Sequence, residues 1–322
     1  MSTTTKPLLS VVVPVYNEES VLPETYKRLK AVLDGMQVVY EVILVNDGSR
    51  DKTAEIAAQI CENDKSWKFL NFSRNFGHQI AITAGMDYSS GDAIVVIDSD
   101  LQDPPELIPQ MLLKWHEGFD VVYAKRVKRD GETFFKKFTA KMFYKLMRFM
   151  TDFDLPTDVG DYRLIDSKVR DALRLVNERN RYIRGIISWL GFNQTAVEFN
   201  REKRFAGETK YPLKKMIKFA FDAITSFSYK PLKIATYIGT FVSLVSFVYL
   251  IVVIVLALMQ ETVPGWASTL AVTLFFNGVV LIILGIIGEY IGRIFDEVKA
   301  RPLYIVARTI NLENEALNAR GK

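Results

Sequence analysis

Two long runs of the sequence contain no charged residue, and they constrain the fold more than any other feature. The first run lies between Lys233 and Glu261 and the second between Glu261 and Glu289. As a helix, each run extends about 40 Å, which exceeds the roughly 30 Å hydrocarbon core of a bilayer. Two buried core helices are the alternative, but paired charge-free runs around a short connection favour membrane insertion. We therefore predict transmembrane helices over 234–258 and 270–288.

Basic residues flank this predicted hairpin at its two ends and not at its connection. Lys230 and Lys233 precede the first span, and Arg293, Lys299 and Arg301 follow the second. By the positive-inside rule, both ends should be cytoplasmic. The N-terminus is short and polar, without the apolar h-region of a secretory signal, so we expect a cytosolic domain ahead of the spans.

The first half of the chain alternates between strand and helix patterns. Buried strands are predicted over 8–14, 40–45, 69–72 and 93–97, and helices over 21–33, 53–62 and 79–88. Such an alternation predicts an α/β domain with a parallel sheet, whose ligands bind beyond the carboxyl ends of the strands. Polar segments follow all four predicted strands, so they should face one crevice.

The segment Asp98-Ser99-Asp100 directly follows the fourth predicted strand. Two carboxylates separated by one residue can converge on a hard cation such as Mg²⁺ or Mn²⁺, which also binds diphosphates. Alone this motif is weak, because acidic pairs at strand ends are common solvated caps. Neither the G-x-G-x-x-G nor the G-x-x-x-x-G-K-[ST] pattern occurs, which argues against a dinucleotide oxidoreductase and a P-loop NTPase. The single cysteine, Cys61, is expected to be a packed side chain rather than a nucleophile.

Four segments together carry a resemblance to a known family. They are Val11-Val12-Val13-Pro14-Val15-Tyr16-Asn17-Glu18-Glu19, Val45-Asn46-Asp47-Gly48-Ser49, Arg74-Asn75-Phe76-Gly77 and Asp98-Ser99-Asp100-Leu101-Gln102-Asp103-Pro104-Pro105. The chain resembles inverting glycosyltransferases of family 2 with the GT-A fold, a Rossmann-like nucleotide-binding domain. More narrowly it is similar to dolichol-phosphate mannose synthase and to two-span bacterial relatives, the GtrB-type bactoprenol glucosyltransferases and ArnC. The C-terminal segments 288–294 and 298–302 also recur there.

The resemblance implies a domain organisation and a localisation. A cytosolic GT-A domain would occupy 1–210, an amphipathic interfacial segment 211–233, the two spans 234–258 and 270–288, and a cytosolic tail 289–322. The protein would be a multi-pass protein of the bacterial inner (plasma) membrane.

The resemblance also implies an activity and a set of site residues. A hexose, with glucose favoured, would pass from a UDP-sugar to undecaprenyl or another polyprenyl phosphate, with Mg²⁺ or Mn²⁺ as cofactor. The nucleotide would be bound by Pro14, Tyr16, Glu18, Asp47, Asn75, Gly77 and Asp98. The metal would be held by Asp98, Asp100 and Gln102. Asp100, Asp161 and Arg126 would be catalytic, with Asp161 a base, an acceptor for a sugar hydroxyl or an orienter of Arg163. We favour a role for Asp161 in orienting the acceptor or the sugar.

The acceptor needs cations more than it needs a base, because a phosphate monoester with a second pKa near about 6 is already largely a dianion at neutral pH. Two clusters of basic residues are therefore candidates for binding its phosphate. They include Arg126, Arg129, Lys137, Arg204 and Lys210. Each of these residues taken singly can equally be a solvated charge facing the membrane.

Further predictions concern the membrane and partners. Apolar residues recur at helical spacing over 133–151 and 214–229, which indicates interfacial helices or, alternatively, amphipathic helices packed on the sheet. Glycines at 239, 278, 285 and 288 favour a homo-oligomer through close helix packing.

No nucleic acid is expected as a partner. Alternatives to the proposed transferase are a polysaccharide synthase and a non-catalytic scaffold for a lipid-sugar flippase. The first usually brings a Q-x-x-R-W element, which this sequence lacks.

Overall fold

The structure, a computed structural model, describes residues 8–126, 159–179, 181–199, 230–259 and 265–312. Its strands are β1 (Leu8–Val15), β2 (Val39–Asn46), β3 (Trp67–Phe72), β4 (Ala93–Val96), β5 (Val121–Arg126), β6 (Val159–Asp166), β7 (Gln194–Phe199) and β8 (Val306–Ile310). Its helices are α1 (Leu22–Asp34), α2 (Thr53–Asn63), α3 (His78–Tyr88), α4 (Ile108–His116), α5 (Ser167–Leu175), α6 (Ile183–Trp189), α7 (Lys230–Leu258) and α8 (Trp266–Lys299).

The eight strands form one mixed sheet in the order β7-β5-β6-β4-β1-β2-β3-β8. The central strands β4, β1, β2 and β3 are parallel, as the alternation of strands and helices predicts. Two later strands make the sheet mixed, because β6 runs antiparallel to β4 and β5, and β8 antiparallel to β3.

The core lies on both faces of the central strands. After its first residue, β1 is buried throughout, and all four residues of β4 are buried. Strands covered on both faces read as continuous runs of valine, leucine and isoleucine, which is why the sequence marks them clearly. Helix α3 packs so closely on the sheet that a Cβ at Gly85 would lie 2.1 Å from a Val12 methyl carbon. Glycine at this position lets the helix approach the strand.

Helices α7 and α8 form a unit separate from the sheet domain and contact each other. The stretches Lys230–Leu256 and Phe275–Lys299 are long and apolar enough to cross a membrane, by length and composition, and neither is buried. They are therefore not core helices of the described structure. A Cβ at Gly239 would lie 3.9 Å from the Ile283 side chain, whereas at Gly278, Gly285 and Gly288 it would meet no described atom within 4 Å. The homo-oligomer stays a prediction.

The chain returns to the sheet domain after the hairpin. Helix α8 ends at Lys299, Ala300 follows in the left-handed conformation with φ +47°, and residues 302–312 belong to the sheet domain. We call residues 303–310 the return segment. It ends in β8, which pairs with β3 from Val306 opposite Phe72 to Ile310 opposite Phe69. Part of the stretch 289–322, expected to be a tail, is thus the end of α8 and an edge strand.

Several predictions lie outside the described residues. These are the interfacial helices over 133–151 and 214–229, most of the amphipathic segment 211–233, and the phosphate-binding candidates Arg129, Lys137, Arg204 and Lys210. The predicted strands and helices of the first half agree with the structure to within two residues at each end.

Candidate active site

The loops after β1 and β2 are joined by reciprocal hydrogen bonds. The Asn17 backbone N–H donates to Ser49 Oγ (3.0 Å), and Asn17 Oδ1 accepts from the Arg50 backbone N–H (2.9 Å). The Glu18 backbone N–H donates to Thr53 Oγ1 at 2.8 Å. Asn17 has φ +55°, a conformation that asparagine tolerates better than most residues. The two loops therefore form one wall of the crevice.

Two other residues predicted to bind nucleotide lie on this wall. Pro14 is buried in β1, and the Tyr16 side chain is exposed at 42%. An exposed aromatic ring beside a polar loop offers a flat apolar surface, of the kind on which a base can stack.

Asp47, after β2, holds the loop after β3. Its carboxylate accepts from the Phe76 N–H (2.6 Å) and the Gly77 N–H (3.0 Å to Oδ2), and Asn75 Nδ2 donates to its backbone carbonyl (3.1 Å). Burial raises the pKa of Asp47, against the lowering by these backbone hydrogen bonds. The predicted nucleotide residues Asp47, Asn75 and Gly77 thus form one cluster. Its carboxylate is engaged by backbone donors, so its role toward a nucleobase stays a prediction.

Gly48 allows this close approach of two loops. It has φ +66°, and a Cβ there would lie 2.4 Å from the Arg74 carbonyl carbon. Both the conformation and the space therefore require glycine. The turn composition of Asn46-Asp47-Gly48-Ser49 predicts the conformation but not the contact.

The Asp98-Ser99-Asp100 turn follows β4. The Ser99 carbonyl accepts from Thr25 Oγ1 of α1 at 2.7 Å, and Asp100 Oδ1 accepts from the Gln102 backbone N–H at 3.1 Å. Leu101 has φ +56°, which is a rare, strained conformation for leucine. Such strain at the end of a strand is maintained only where the surroundings enforce it, and it is common at functional sites.

Asp161 of β6 lies beside Asp98 because of the strand register. The antiparallel pair β4–β6 places Val96 opposite Arg163, so the residues just beyond β4 lie next to Asp161. The imidazole of His78, at the start of α3, connects the two carboxylates. Its Nε2 is 3.4 Å from Asp98 Oδ1 and 3.3 Å from Asp161 Oδ2.

Asp161 is 7% exposed and forms a two-point ion pair with Arg184 of α6. Arg184 Nε lies 2.8 Å from Oδ1 and Nη2 lies 3.0 Å from Oδ2, and Gln79 Nε2 donates to Oδ2 at 3.1 Å. Burial alone would raise the pKa of Asp161, but the hydrogen bond with His78 and the charge of Arg184 outweigh it and hold the pKa well below its ordinary value. Arg163, which the sequence offers as one possible partner, is farther away, at 4.0 Å, and its guanidinium donates to the carbonyls of Gly160 and Asp161.

Asp98 has the opposite electrostatics. Its Oδ1 is buried and has no hydrogen-bond partner among the described residues. Desolvation, together with the charges of Asp161, Asp103 and Asp100, raises the pKa of Asp98 to about 6, against the opposing charge of His78. A buried carboxylate close to other carboxylates is stabilised strongly in its charged form by a nearby cation.

Asp98 and Asp100 fit a divalent cation that takes its remaining ligands from elsewhere. Both supply the carboxylate oxygens that Mg²⁺ and Mn²⁺ prefer. Asp98 Oδ1, which accepts no hydrogen bond from a described residue, is one such metal-binding oxygen. Among the described ranges no three His, Cys, Asp or Glu side chains are arranged to hold a metal ion. Mg²⁺ is commonly bound by one or two carboxylates plus substrate phosphates and water, and this donor set has that form.

Arg126, at the end of β5, is the one acceptor-phosphate candidate within the described part of the chain. Its Nη2 is 3.4 Å from Oδ1 of the buried Asp103, and its Nε is buried without a partner among those residues. A Cβ at Gly160 would lie 3.0 Å from Nη2, so the glycine gives the guanidinium room. Arg126 thus reaches the segment that carries Asp98 and Asp100.

Sequence reasoning missed His78, Gln79 and Arg184. The first two directly follow Arg74-Asn75-Phe76-Gly77 at the start of a helix that begins at a strand end, a position that could have marked them. Arg184 lies 23 residues from Asp161 in the sequence, in a short helix without a recognisable motif. Cys61 is buried, as predicted.

Comparison with known proteins gives two family matches. The family described as Glycosyl transferase family 2 matches residues 10–174, and the family described as GtrB C-terminal hairpin matches residues 230–294. The first match contains all four strand-end loops. The second begins at the first residue of α7 and ends within α8.

Several relatives cover nearly the whole chain. The Uncharacterized glycosyltransferase YkcC of Bacillus subtilis (strain 168) is 58% identical, over 96% of this chain and 96% of that protein. The Uncharacterized glycosyltransferase sll0501 of Synechocystis sp. (strain ATCC 27184 / PCC 6803 / Kazusa) is 49% identical, over 95% and 96%. The Bactoprenol glucosyl transferase of Shigella phage SfII is 42% identical, over 94% and 98%.

Proposed function

Since this chain belongs to glycosyltransferase family 2, we propose that it transfers a hexose, with glucose favoured, from a UDP-sugar to undecaprenyl or another polyprenyl phosphate. One observation carries the proposal. A family 2 domain and a GtrB-type hairpin occur in one chain, 42% identical over 94% of its length to a protein named Bactoprenol glucosyl transferase. The strand-end crevice, with its acidic turn, supports the same conclusion.

The donor would lie along the carboxyl ends of β1 to β4. Pro14, Tyr16 and Glu18 would line the nucleoside from the wall formed by the loops after β1 and β2. Asn75 and Gly77, in the loop after β3 that Asp47 holds, would line it from the other side. The diphosphate would lie at the Asp98-Ser99-Asp100 turn. Asp98 Oδ1 supports this placement, because it is buried and accepts no hydrogen bond from a described residue, with only the His78 imidazole at 3.4 Å. A buried carboxylate oxygen without a hydrogen bond is costly unless a ligand or ion completes it.

A divalent cation, Mg²⁺ or Mn²⁺, would be held by Asp98 and Asp100, with Gln102 nearby. When bound, such an ion neutralises charge that develops on the departing nucleoside diphosphate. Because Asp98 has a pKa of about 6, its affinity for the ion should fall as the pH decreases below about 6, where protons compete for the same oxygen.

The acceptor phosphate would attack the anomeric carbon directly. One of its oxygens forms the new bond to carbon while the bond from that carbon to the diphosphate oxygen breaks, so the configuration inverts and UDP leaves. A phosphate dianion brings no proton to be removed, so this displacement needs no general base. Arg126 would reduce the repulsion between the two phosphate groups and orient the acceptor.

Asp161 would position other groups rather than abstract a proton. Its low pKa and its two-point pairing with Arg184 make it a weak base at neutral pH. Through His78 it is also linked to Asp98. Asp161 would therefore hold His78 and Arg184 in place beside Asp98, where the sugar and the diphosphate would meet.

We further propose that the hairpin crosses the membrane twice with both ends in the cytoplasm. The sheet domain precedes α7, and the return segment rejoins that same domain after α8, so both ends of the hairpin belong on one side. The basic residues at those ends favour the cytoplasmic side.

Cysteine labelling tests this orientation. Thr262→Cys places a thiol between the spans, and it should react with an impermeant maleimide in intact cells. Ala307→Cys places a thiol at an exposed position of β8, and it should react only after lysis. The opposite pattern would contradict the orientation.

The activity test is transfer of label from a panel of radiolabelled UDP- and GDP-sugars to undecaprenyl phosphate by the detergent-purified full chain. Reactions would contain Mg²⁺, Mn²⁺ or EDTA. Asp100→Asn should lower turnover at least about 100-fold, since it removes a proposed ligand of the cation. Glu117→Gln is the matched control, because Glu117 is an exposed carboxylate paired with Lys114 on α4.

One labelled organic-extractable lipid, formed only with a divalent ion and lost in Asp100→Asn, would support the proposal and name the sugar. Labelled polymer in place of lipid would indicate a polysaccharide synthase. Absence of any product from every donor, with Asp100→Asn behaving as wild type in nucleotide binding, would contradict catalysis and favour a scaffold.

A further inference from the structure

The return segment contacts the loop between β3 and α3, which forms one wall of the crevice. The Ser73 backbone N–H, the first of that loop, donates to the Ile305 carbonyl at 3.0 Å. The pairing of β8 with β3 begins at Phe72, one residue earlier. The start of the loop is thus tied by backbone hydrogen bonds to a segment more than two hundred residues later in the chain.

Tyr304 adds side-chain contacts on both sides of this loop. Its ring stacks on Phe72, the last residue of β3, with centroids 5.3 Å apart and an interplanar angle of 16°. Its hydroxyl donates to Asp87 Oδ2 of α3 at 3.1 Å. Tyr304 therefore touches the strand that leads into the loop and the helix that leads out of it.

The contact continues from Phe72 into the loop itself. The rings of Phe72 and Phe76 meet edge to face at 5.6 Å, and the Arg74 guanidinium lies over the Phe76 ring at 4.2 Å. The Phe76 N–H is one of the two backbone donors to the buried Asp47 carboxylate. A continuous series of packed rings thus extends from Tyr304 to the group that holds Asp47.

We propose that Tyr304 is a positioning residue for the nucleotide-binding side of the crevice. It fixes Phe72, and through it Phe76, so that the Phe76 and Gly77 amides stay aligned on Asp47. Donor affinity therefore depends on a residue that follows the membrane hairpin and lies outside the matched family 2 region, residues 10–174. This inference rests on the proposed function in one respect, namely that the loop binds a nucleoside diphosphate.

The simpler alternative is that the return segment only protects the edge of β3. Covering an edge strand prevents unwanted pairing and needs no particular side chain at Tyr304. Arg308, in the middle of β8, provides a matched control for that role. It lies opposite Asn71 of β3, and its side chain forms an exposed ion pair with Glu62 of α2 at 3.2 Å.

The variants are Tyr304→Leu, Tyr304→Phe and Arg308→Ala in the full-length detergent-purified chain. Leucine keeps an apolar side chain but removes the ring and the hydroxyl, while phenylalanine keeps the ring. Equilibrium titration with UDP in the presence of Mn²⁺ would give donor-side affinity, and initial rates would give KM for the UDP-sugar and for undecaprenyl phosphate separately. Hydrogen exchange of the nucleotide-free protein would report on the amides of Phe76 and Gly77.

We expect Tyr304→Leu to weaken UDP binding and raise the donor KM about 10-fold, which corresponds to about 1.4 kcal/mol. The acceptor KM should stay within twofold. The Phe76 and Gly77 amides should exchange at least about 10-fold faster. Tyr304→Phe should lie near wild type, and Arg308→Ala should match wild type in all three measurements.

Unchanged exchange at Phe76 and Gly77 in Tyr304→Leu would overturn the inference, whatever the enzyme transfers. Faster exchange with unchanged UDP affinity would overturn it too, since the loop would then not control the donor. An equal effect of Arg308→Ala would leave only edge protection. If wild type transfers no sugar, the proposed function fails, while the exchange data still decide whether Tyr304 positions the loop.

Discussion

Replacing Asp161 by asparagine distinguishes an anchor for Arg184 from a catalytic base. Removing one partner of a buried ion pair costs about 3–5 kcal/mol, because the other charge loses its counterion. Asparagine keeps one acceptor oxygen for the Arg184 guanidinium, so we expect a loss of about 3 kcal/mol in the free energy of unfolding. For a domain of this size each kcal/mol lowers Tm by about 2–4 °C, so Tm should fall by about 6–12 °C.

Thermal unfolding in detergent, followed by tryptophan fluorescence, would measure this loss. The double variant Asp161→Asn, Arg184→Gln removes the uncompensated charge as well, and should recover about half of the lost Tm if the two side chains are coupled. Asp171→Asn is the matched control. Asp171 also contacts two arginines, Arg170 and Arg174, but is 57% exposed, and exposed pairs contribute about 1 kcal/mol or less.

The pH dependence gives the result that would refute the reasoning. The pKa of Asp161 lies well below its ordinary value, so its stabilising effect is complete above about pH 4 and is lost only as the pH falls through the folded-state pKa. Between pH 6 and 9 Asp161 does not ionise, so any limb of the wild-type rate profile there should persist in Asp161→Asn. A limb set by His78 should move to lower pH without vanishing, because, against the lowering by burial, Asp161 raises the pKa of His78. A variant with wild-type Tm that lacks one limb of that profile would show that Asp161 is a base.

Three further predictions concern the crevice and the core. Gly48→Ala should lower Tm and donor affinity, because the new Cβ would lie 2.4 Å from the Arg74 carbonyl carbon. Gly118→Ala is the control: Gly118 has φ +97° and open space, so this substitution should lower the free energy of unfolding by only about 1 kcal/mol. Equal losses in the two variants would contradict this. Asp98→Asn should raise Tm by a few °C in metal-free protein at pH 7, because the raised pKa of Asp98 destabilises the fold above pH 6. The same variant should abolish transfer. A lower Tm would contradict the raised pKa of Asp98. Burial raises the pKa of the Cys61 thiol to about 12, so iodoacetamide at pH 8 should label only unfolded protein. Mass spectrometry would detect the labelled chain. Ready labelling of the native protein would contradict the burial of Cys61.

The central sheet and the four strand-end loops follow from the sequence because each depends on local pattern. Strands buried on both faces appear as unbroken apolar runs, and turns appear as clusters of Asn, Asp, Gly and Ser. The acidic turn at Asp98 and the cluster around Asp47 were therefore found where the pattern placed them. The hairpin follows in the same way from two charge-free runs.

The remaining features depend on contacts between distant residues. The ion pair between Asp161 and Arg184 joins a strand to a short helix, and no spacing in the sequence reports which arginine is the partner. The sequence suggests Arg163 as one possible partner because it is near in the chain, whereas its guanidinium donates to backbone carbonyls. The strand β8 is equally difficult to predict from the sequence, because a five-residue segment after a membrane hairpin has the pattern of a C-terminal tail.

Pairing between β3 and β8 imposes an order on biosynthesis. Val306 pairs with Phe72, about 230 residues earlier in the chain. At a synthesis rate of 5–20 residues per second, roughly 10–50 s pass between the emergence of the two strands. During that interval the outer edge of β3 has no partner from the return segment, while α7 and α8 are still being made. An unpaired edge strand is a site of aggregation, so we expect the nascent sheet domain to be most prone to aggregation in the interval before its last strand is made.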